Sequence, residues 1–284
     1  MNDPLATRDP SPTAGGPAAA LGVGVAQFAP GPDPAVNLAV MRSLAETAVS
    51  RGARLIVFPE YSAFFESVLG PSFVAAAEPL DGPFVSALAA LAADLGVHVV
   101  AGMLEATDDP NRFSNTLVAL DPAGELVATY RKLHLYDAFG DRESDWVRAG
   151  AVEEPETFNV RGLRVGLQTC YDIRFPEVTR RLVDAGADLV LVPAEWVRGP
   201  LKEQHWRTLL TARALENTVY LAAADHAPPV GVGNSMVVDP MGVELVTIGE
   251  TTDVAVAWVS PERLTAVRAR NPALELRRFA VVPR

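Results

Sequence analysis

A single cysteine, Cys170, occurs in the 284 residues. One thiol excludes an internal disulfide framework and fits a reducing compartment. Histidine is nearly as scarce. His98, His134, His205 and His226 show no ligand-like spacing and no second cysteine accompanies them, so neither a zinc site nor any other metal or cofactor is expected. Positive charge is also short: 24 Lys and Arg stand against 35 Asp and Glu, a formal net charge of −11. Nucleic acids and anionic membranes are bound through a basic footprint, so neither is an expected partner. No apolar run approaches the length of a membrane span. Residues 1–20 are rich in Pro, Ala, Gly, Ser and Thr and lack the basic and apolar blocks of a signal peptide. They are expected to form a disordered tail on a cytoplasmic protein. Nucleotide-binding signatures are missing as well, with neither a Gly-x-x-x-x-Gly-Lys loop nor a strand-to-helix Gly-x-Gly-x-x-Gly. A serine hydrolase would want Gly-x-Ser-x-Gly, and the stretch from Gly233 to Val237 lacks the last glycine.

What is present is ample apolar sequence, 49% of residues, in alternating β-prone runs and helical stripes. Strands are expected at residues 21–28, 55–58, 97–104, 114–120 and 125–131, the last two flanking the turn signal Asp121-Pro122-Ala123-Gly124. Asp33-Pro34 reads as a cap and first turn, followed by Leu38, Met41, Ala45 and Ala48 at helical spacing. A second helix spans residues 83–95. Residues 133–155 are polar and irregular, long enough for a functional loop. Strands then recur at 157–160, 163–169, 189–192, 219–224, 235–238, 244–248 and 254–259. Helices are expected at 177–185 and 201–217 and after Ser260-Pro261. No linker separates the halves, so residues 21–284 read as a single α/β domain with helices on both faces of its sheet.

Three of these strands end on groups that do chemistry. Leu55 to Phe58 runs into Pro59-Glu60, residues 125–131 into Lys132, and the run from Leu163 into Gln168-Thr169-Cys170. Pro176 suits the first turn of a helix, so Cys170 sits on a strand-to-helix turn. Open α/β sheets carry reactive groups at that place, where backbone N–H groups can hold an anion. Taken singly, each residue has a structural explanation: a core thiol, a loop carboxylate, an edge-strand lysine. Their joint occurrence points to a site that does chemistry.

Phe-Pro-Glu60-Tyr, Arg-Lys132-Leu-His-Leu and Cys170-Tyr-Asp-Ile-Arg-Phe-Pro-Glu together resemble the nitrilase superfamily of carbon–nitrogen hydrolases. The similarity runs from about residue 22 to about residue 270 and is strongest to the ω-amidase branch. The resemblance implies a four-layer α-β-β-α sandwich. It also implies an enzyme that cleaves a small carboxamide and releases ammonia through a thioester on Cys170. Glu60 would be the base, Lys132 and the Tyr171 backbone N–H the oxyanion stabilisers. By position, Glu143 matches a second glutamate that holds the lysine, or it is one acid among several in its loop. The resemblance further implies a homodimer or larger assembly, paired through the helix after the cysteine and the helix carrying Arg213 to Asn217.

Substrate binding is the open part. Arg174 matches an arginine that grips a substrate carboxylate; alternatively it braces the turn against Asp172 or Glu177. Glu195 and Trp196 stand where relatives usually carry Phe-Thr or Phe-Asn, and either line the pocket or pack the loop. Asp172 and Glu177 read as structural, anchoring the turn or meeting Arg180 and Arg213. Hydrolysis of N-carbamoyl amines, transfer of the acyl group to an amine, and a non-catalytic binding protein on the same fold remain the rival functions.

Overall fold

The computed structural model describes residues 20–283, and the expected N-terminal tail lies, but for Ala20, outside them. The first half runs β1 (Leu21–Gln27), α1 (Pro34–Ser50), β2 (Leu55–Val57), α2 (Pro71–Ala75), α3 (Pro83–Leu95), β3 (His98–Ala106), β4 (Phe113–Leu120) and β5 (Leu126–Arg131). The second runs β6 (Thr157–Val160), β7 (Leu163–Leu167), α4 (Pro176–Asp184), β8 (Leu189–Pro193), α5 (Lys202–Asn217), β9 (Tyr220–Ala224), β10 (Met236–Val238) and β11 (Glu244–Thr247). Then β12 (Asp253–Val259) returns to the first sheet and α6 (Pro261–Arg270) follows.

Two six-stranded sheets result, ordered β12-β1-β2-β3-β4-β5 and β11-β10-β9-β8-β7-β6. In each, three parallel strands (β1-β2-β3 and β7-β8-β9) form the centre and antiparallel strands flank them. The apolar residues divide into three cores. Val23, Val25, Leu55 and Val57 of the first sheet face Val165, Leu167, Leu189 and Leu191 of the second. Alternate residues of the first sheet, such as Ala26 and Ile56, pack on Met41, Ala45, Leu88 and Leu91 of α1 and α3. Val190, Val192 and Leu221 of the second pack on Leu182, Trp206 and Leu210 of α4 and α5. Because successive strand residues point to opposite faces, this is a four-layer α-β-β-α sandwich, the nitrilase arrangement.

Local sequence explains the close layers. The Asp33 side chain accepts from the Ala35 and Val36 amides with Pro34 at the first helical position, and α1 buries Asn37, Met41, Ala45 and Ala48. A Cβ on Gly22 would stand 2.3 Å from the Gly52 carbonyl oxygen, so only glycine lets that turn lie on β1. The short α2 was not expected from periodicity; it buries one residue, Phe73, and five residues carry too few positions for a stripe.

Candidate active site

Glu60, Lys132 and Cys170 reach one place because strand direction brings them there. β2, β7 and β8 are parallel central strands, and Glu60, Cys170 and Glu195 each follow the carboxyl end of one of them. β5 is antiparallel to β4, itself antiparallel to β3, so β5 runs with β3 and ends on the same side. Strand alternation then divides its last residues. Arg131 turns outward to pair both oxygens of Glu105 (2.7 and 2.5 Å), and Lys132 turns inward.

The Lys132 ammonium donates to Glu60 Oε1 at 2.9 Å and lies 2.9 Å from Glu143 Oε2 and 3.0 Å from Oε1. All three side chains are almost wholly buried, at 3%, 1% and 6% exposure. Asn115 Nδ2 bridges the same carboxylates, at 2.6 Å from Glu60 and 3.2 Å from Glu143. Glu60 Oε2 accepts from the Glu195 amide at 2.6 Å. Glu143 takes further bonds from the Tyr61 hydroxyl (2.8 Å) and the Tyr136 amide (2.5 Å). The 3₁₀ turn carrying Glu143 thereby pins the irregular 133–155 segment over the site. His226 Nε2 meets the Glu60 carbonyl at 2.7 Å and fixes its backbone.

Cys170 opens a five-residue 3₁₀ helix, Cys170–Arg174, where a simple turn was expected. Thr169 and Asp172 close a capping box across it. Cys170 itself sits at φ +44°, a left-handed conformation that costs a non-glycine residue about 1–3 kcal/mol. Its Sγ lies 3.4 Å from the Glu195 carbonyl oxygen. Of its two expected roles, Asp172 takes the first: it anchors the turn and, among the described residues, pairs with no arginine. It accepts from the Tyr130 hydroxyl (2.7 Å) and the His134 and Thr169 amides, and meets His134 Nδ1 at 2.8 Å. Arg213 instead donates to the Ile173 carbonyl and pairs with Glu216.

A cavity of about 450 Å³ opens over these groups, lined by Glu60, Lys132, Glu143, Cys170, Tyr171, Glu195 and Trp196. Seven of the eight residues singled out in the sequence thus share one wall. Arg174, the eighth, is outside the lining. Its guanidinium stacks 4.8 Å from the Trp196 ring and its Nη2 lies 3.4 Å from His205 Nδ1. Among the described residues no three His, Cys, Asp or Glu side chains are grouped so as to hold a metal ion, and no helix is long and apolar enough to cross a membrane.

The carbon–nitrogen hydrolase family model matches residues 22–269. The chain belongs to that family. Deaminated glutathione amidase of Escherichia coli O157:H7 is 41% identical over 250 residues, covering 86% of this chain and 92% of its own. Among solved structures, the C. elegans NitFhit protein superposes with a TM-score of 0.83 at 28% identity, covering 92% of this chain; this chain spans 65% of that one. A glutamate-to-glutamine mutant of the amidase from Nesterenkonia sp. AN1, of the nitrilase superfamily, gives 0.76 at 28% identity, with 92% and 98% covered. It bears the acetamide moiety of fluoroacetamide on its active-site cysteine.

Electrostatics in this carbon–nitrogen hydrolase set the resting protonation. Burial raises the Glu60 carboxyl, against the pull of Lys132. Burial alone would lower the Lys132 ammonium, but Glu143 and Glu60 outweigh it and hold its pKa well above the ordinary lysine value. The Cys170 thiol is pushed well up by burial and by Glu60, with Lys132 opposing. The resting Cys170 side chain is therefore a neutral thiol, in contrast to the thiolate that a nearby lysine and a helix start would favour. Sequence reading did not single out Asn115, Tyr61, Tyr136 or Lys202. Asn115 had a signal, a run of polar residues (Ser114, Asn115, Thr116) in an otherwise apolar strand, all three buried.

Proposed function

We propose that this hydrolase cleaves a small carboxamide through a thioester on Cys170 and releases ammonia. The observation that carries the reading is the buried Lys132 ammonium shared by Glu60 and Glu143 on the wall of the cavity that holds the lone cysteine. Glu60 takes the thiol proton as Sγ attacks the amide carbon. The oxyanion that forms is held by Lys132 and the Tyr171 backbone N–H. Glu60 passes its proton to the departing nitrogen as the C–N bond breaks. It next takes a proton from water, whose oxygen attacks the thioester. Collapse returns the thiol and releases the carboxylic acid. Glu143 holds Lys132 at the oxyanion and Asn115 orients both carboxylates.

The cysteine adduct on the Nesterenkonia amidase supports covalent catalysis on this site. The activity named for the E. coli relative, on deaminated glutathione, makes carboxylate-bearing amides the first substrates to try. Intact-mass spectrometry of a Glu143→Gln variant turning over such an amide should show Cys170 carrying the acyl group. Full turnover by Cys170→Ala would overturn the mechanism.

A further inference from the structure

Lys202 lines the same cavity as Cys170, and no step above uses it. It is the first residue of α5 and only 7% exposed. Helix starts disfavour cations, since the macrodipole is positive there. Leu201 before it is held at φ +61° with its own side chain 65% exposed. Both local preferences are thus overridden to put an ammonium on the cavity wall.

Once there, the ammonium forms no ion pair among the described residues. Its hydrogen-bond partner among the described residues is the Tyr136 hydroxyl, at 2.7 Å. Otherwise it faces aromatic rings, with Phe139, Tyr136 and Trp196 centroids at 4.5, 4.9 and 5.5 Å. Arg174 stacks on the same Trp196 ring at 4.8 Å and has a buried Nε without a partner. Two cations therefore share one aromatic wall in a chain with 35 carboxylates and a net charge of −11. Removing charge from water is costly unless an opposite charge compensates it. A purely structural lysine would have found one of those carboxylates.

The donors left over define what fits. Lys202 spends one N–H on the Tyr136 oxygen and keeps two. Tyr136 accepts that bond, so its own O–H remains to donate. Burial raises the Tyr136 pKa to about 12, so the hydroxyl keeps its proton at neutral pH. Glu195 lines the cavity as well, but burial and the neighbouring Glu60 hold its carboxyl well above the ordinary value. That rise disfavours its ionised form and weakens its competition for the cations.

Resting on the reading of Cys170 as nucleophile, we propose that Lys202 and Tyr136 form the subsite for a carboxylate at the far end of the acyl chain. Trp196 and Tyr171 wall the methylenes between that carboxylate and the amide. Arg174, stacked on the same Trp196 ring but outside the cavity lining, contributes positive potential. The job that the sequence resemblance gave to Arg174 thereby falls to a lysine reached through a different loop.

The test pairs glutaramate with pentanamide, amides of equal chain length with and without the distal carboxylate, and adds calorimetric binding of glutarate to the full-length protein. Lys202→Met should raise KM for glutaramate at least about tenfold more than for pentanamide, since a hydrogen bond to a charged group is lost. It should weaken glutarate binding by a similar factor, with Tyr136→Phe acting in the same direction and Lys202→Arg retaining most affinity. Melting curves identify any variant that fails to fold, and Tyr136→Phe and Lys202→Arg then carry the comparison. Equal losses on both amides, or glutarate binding indifferent to Lys202, would overturn the subsite while leaving the hydrolase intact. Glutarate binding that depends on Lys202, in a protein that releases ammonia from neither amide, would uphold the subsite and remove the hydrolase reading.

Discussion

A Cβ placed on Gly102 would stand 2.7 Å from the Cα of Glu60 and 2.6 Å from the Tyr61 amide nitrogen. The carboxylate reaches Lys132 because its chain crosses β3 at this one bare position, with the Gly102 amide donating to the Pro59 carbonyl at 3.1 Å. Gly102→Ala must push the Glu60 segment outward. Overpacking of this kind costs about 1–3 kcal/mol, and a shift of about 1 Å in a catalytic group costs about 10²-fold in rate. Kinetics should show kcat reduced by that order with KM little altered, in a protein whose far-ultraviolet circular dichroism is unchanged. Wild-type kcat at wild-type Tm would mean that Glu60 does not depend on the crossing.

Glu143 has an effect on Glu60 that can be read in a pH profile. Burial raises the Glu60 carboxyl, and the negative charge of Glu143 adds to the rise. In its proposed role as base Glu60 must be ionised, so activity is expected to fall as pH drops through the raised Glu60 value. Glu143→Gln removes the repelling charge and leaves Lys132 more fully to Glu60. The acid limb of kcat/KM should therefore move to lower pH, while kcat itself should drop by about 10²-fold because Lys132, the proposed oxyanion donor, is less firmly held. A limb that stays in place or moves up would separate the two carboxylates functionally.

How far the site was legible in the sequence depends on the range of the interaction. Strand runs and their terminal residues placed Glu60, Lys132 and Cys170 at one edge, and the Asp33 cap and Pro176 marked their helices correctly. The 3₁₀ helix at Cys170 was written locally too, as Thr169-x-x-Asp172, but capping pairs are usually read before long helices. The lattice around Lys132 was not legible. Asn115 and Tyr61 act through contacts 28 to 82 residues apart, which no periodicity encodes. Lys202 left one trace, a lysine where helix starts prefer acids. Arg174 illustrates the converse: its spacing from Cys170 suggested the cavity, but it stacks on Trp196 outside the cavity lining.

His226 ties acid stability to the site. Its imidazole is fully buried, and burial lowers its pKa to about 4 against 6.5 unfolded. Neutral imidazole then donates Nε2–H to the Glu60 carbonyl. A folded pKa below the unfolded one means that the unfolded chain binds the proton more readily. The contribution is present above pH 6.5 and is lost as pH falls from 6.5 toward 4, about 3 kcal/mol in all. The carboxyls of Glu195 and Asp225, raised by burial, act in the opposite sense. A His226→Gln variant shares them, so the difference isolates the histidine. Urea unfolding at pH 7 and pH 4.5 should show a smaller loss in the variant than in wild type. Parallel losses would show that His226 does not titrate as its burial requires.

The last expectation concerns assembly, where the exposed apolar surface lies elsewhere than the sequence suggested. The resemblance implied pairing through α4 and α5. α4 instead exposes Glu177 and Asp184, and on α5 the large apolar side chain left open is Leu215, at 43%. The chain after α6 is different. Leu276, Phe279 and Val282 are 71%, 92% and 76% exposed, while Leu274 just before them packs on the α4–α5 core. Apolar side chains that open to water on an anchored segment favour a partner that covers them. A homodimer is expected in which this segment of one copy lies against the other. Light scattering should give twice the chain mass at micromolar concentration, and deletion of residues 276–284 should return the monomer mass with the melting transition retained. A monomer for the full chain would sink the idea outright, and a dimer indifferent to the deletion would move the interface back to the helices.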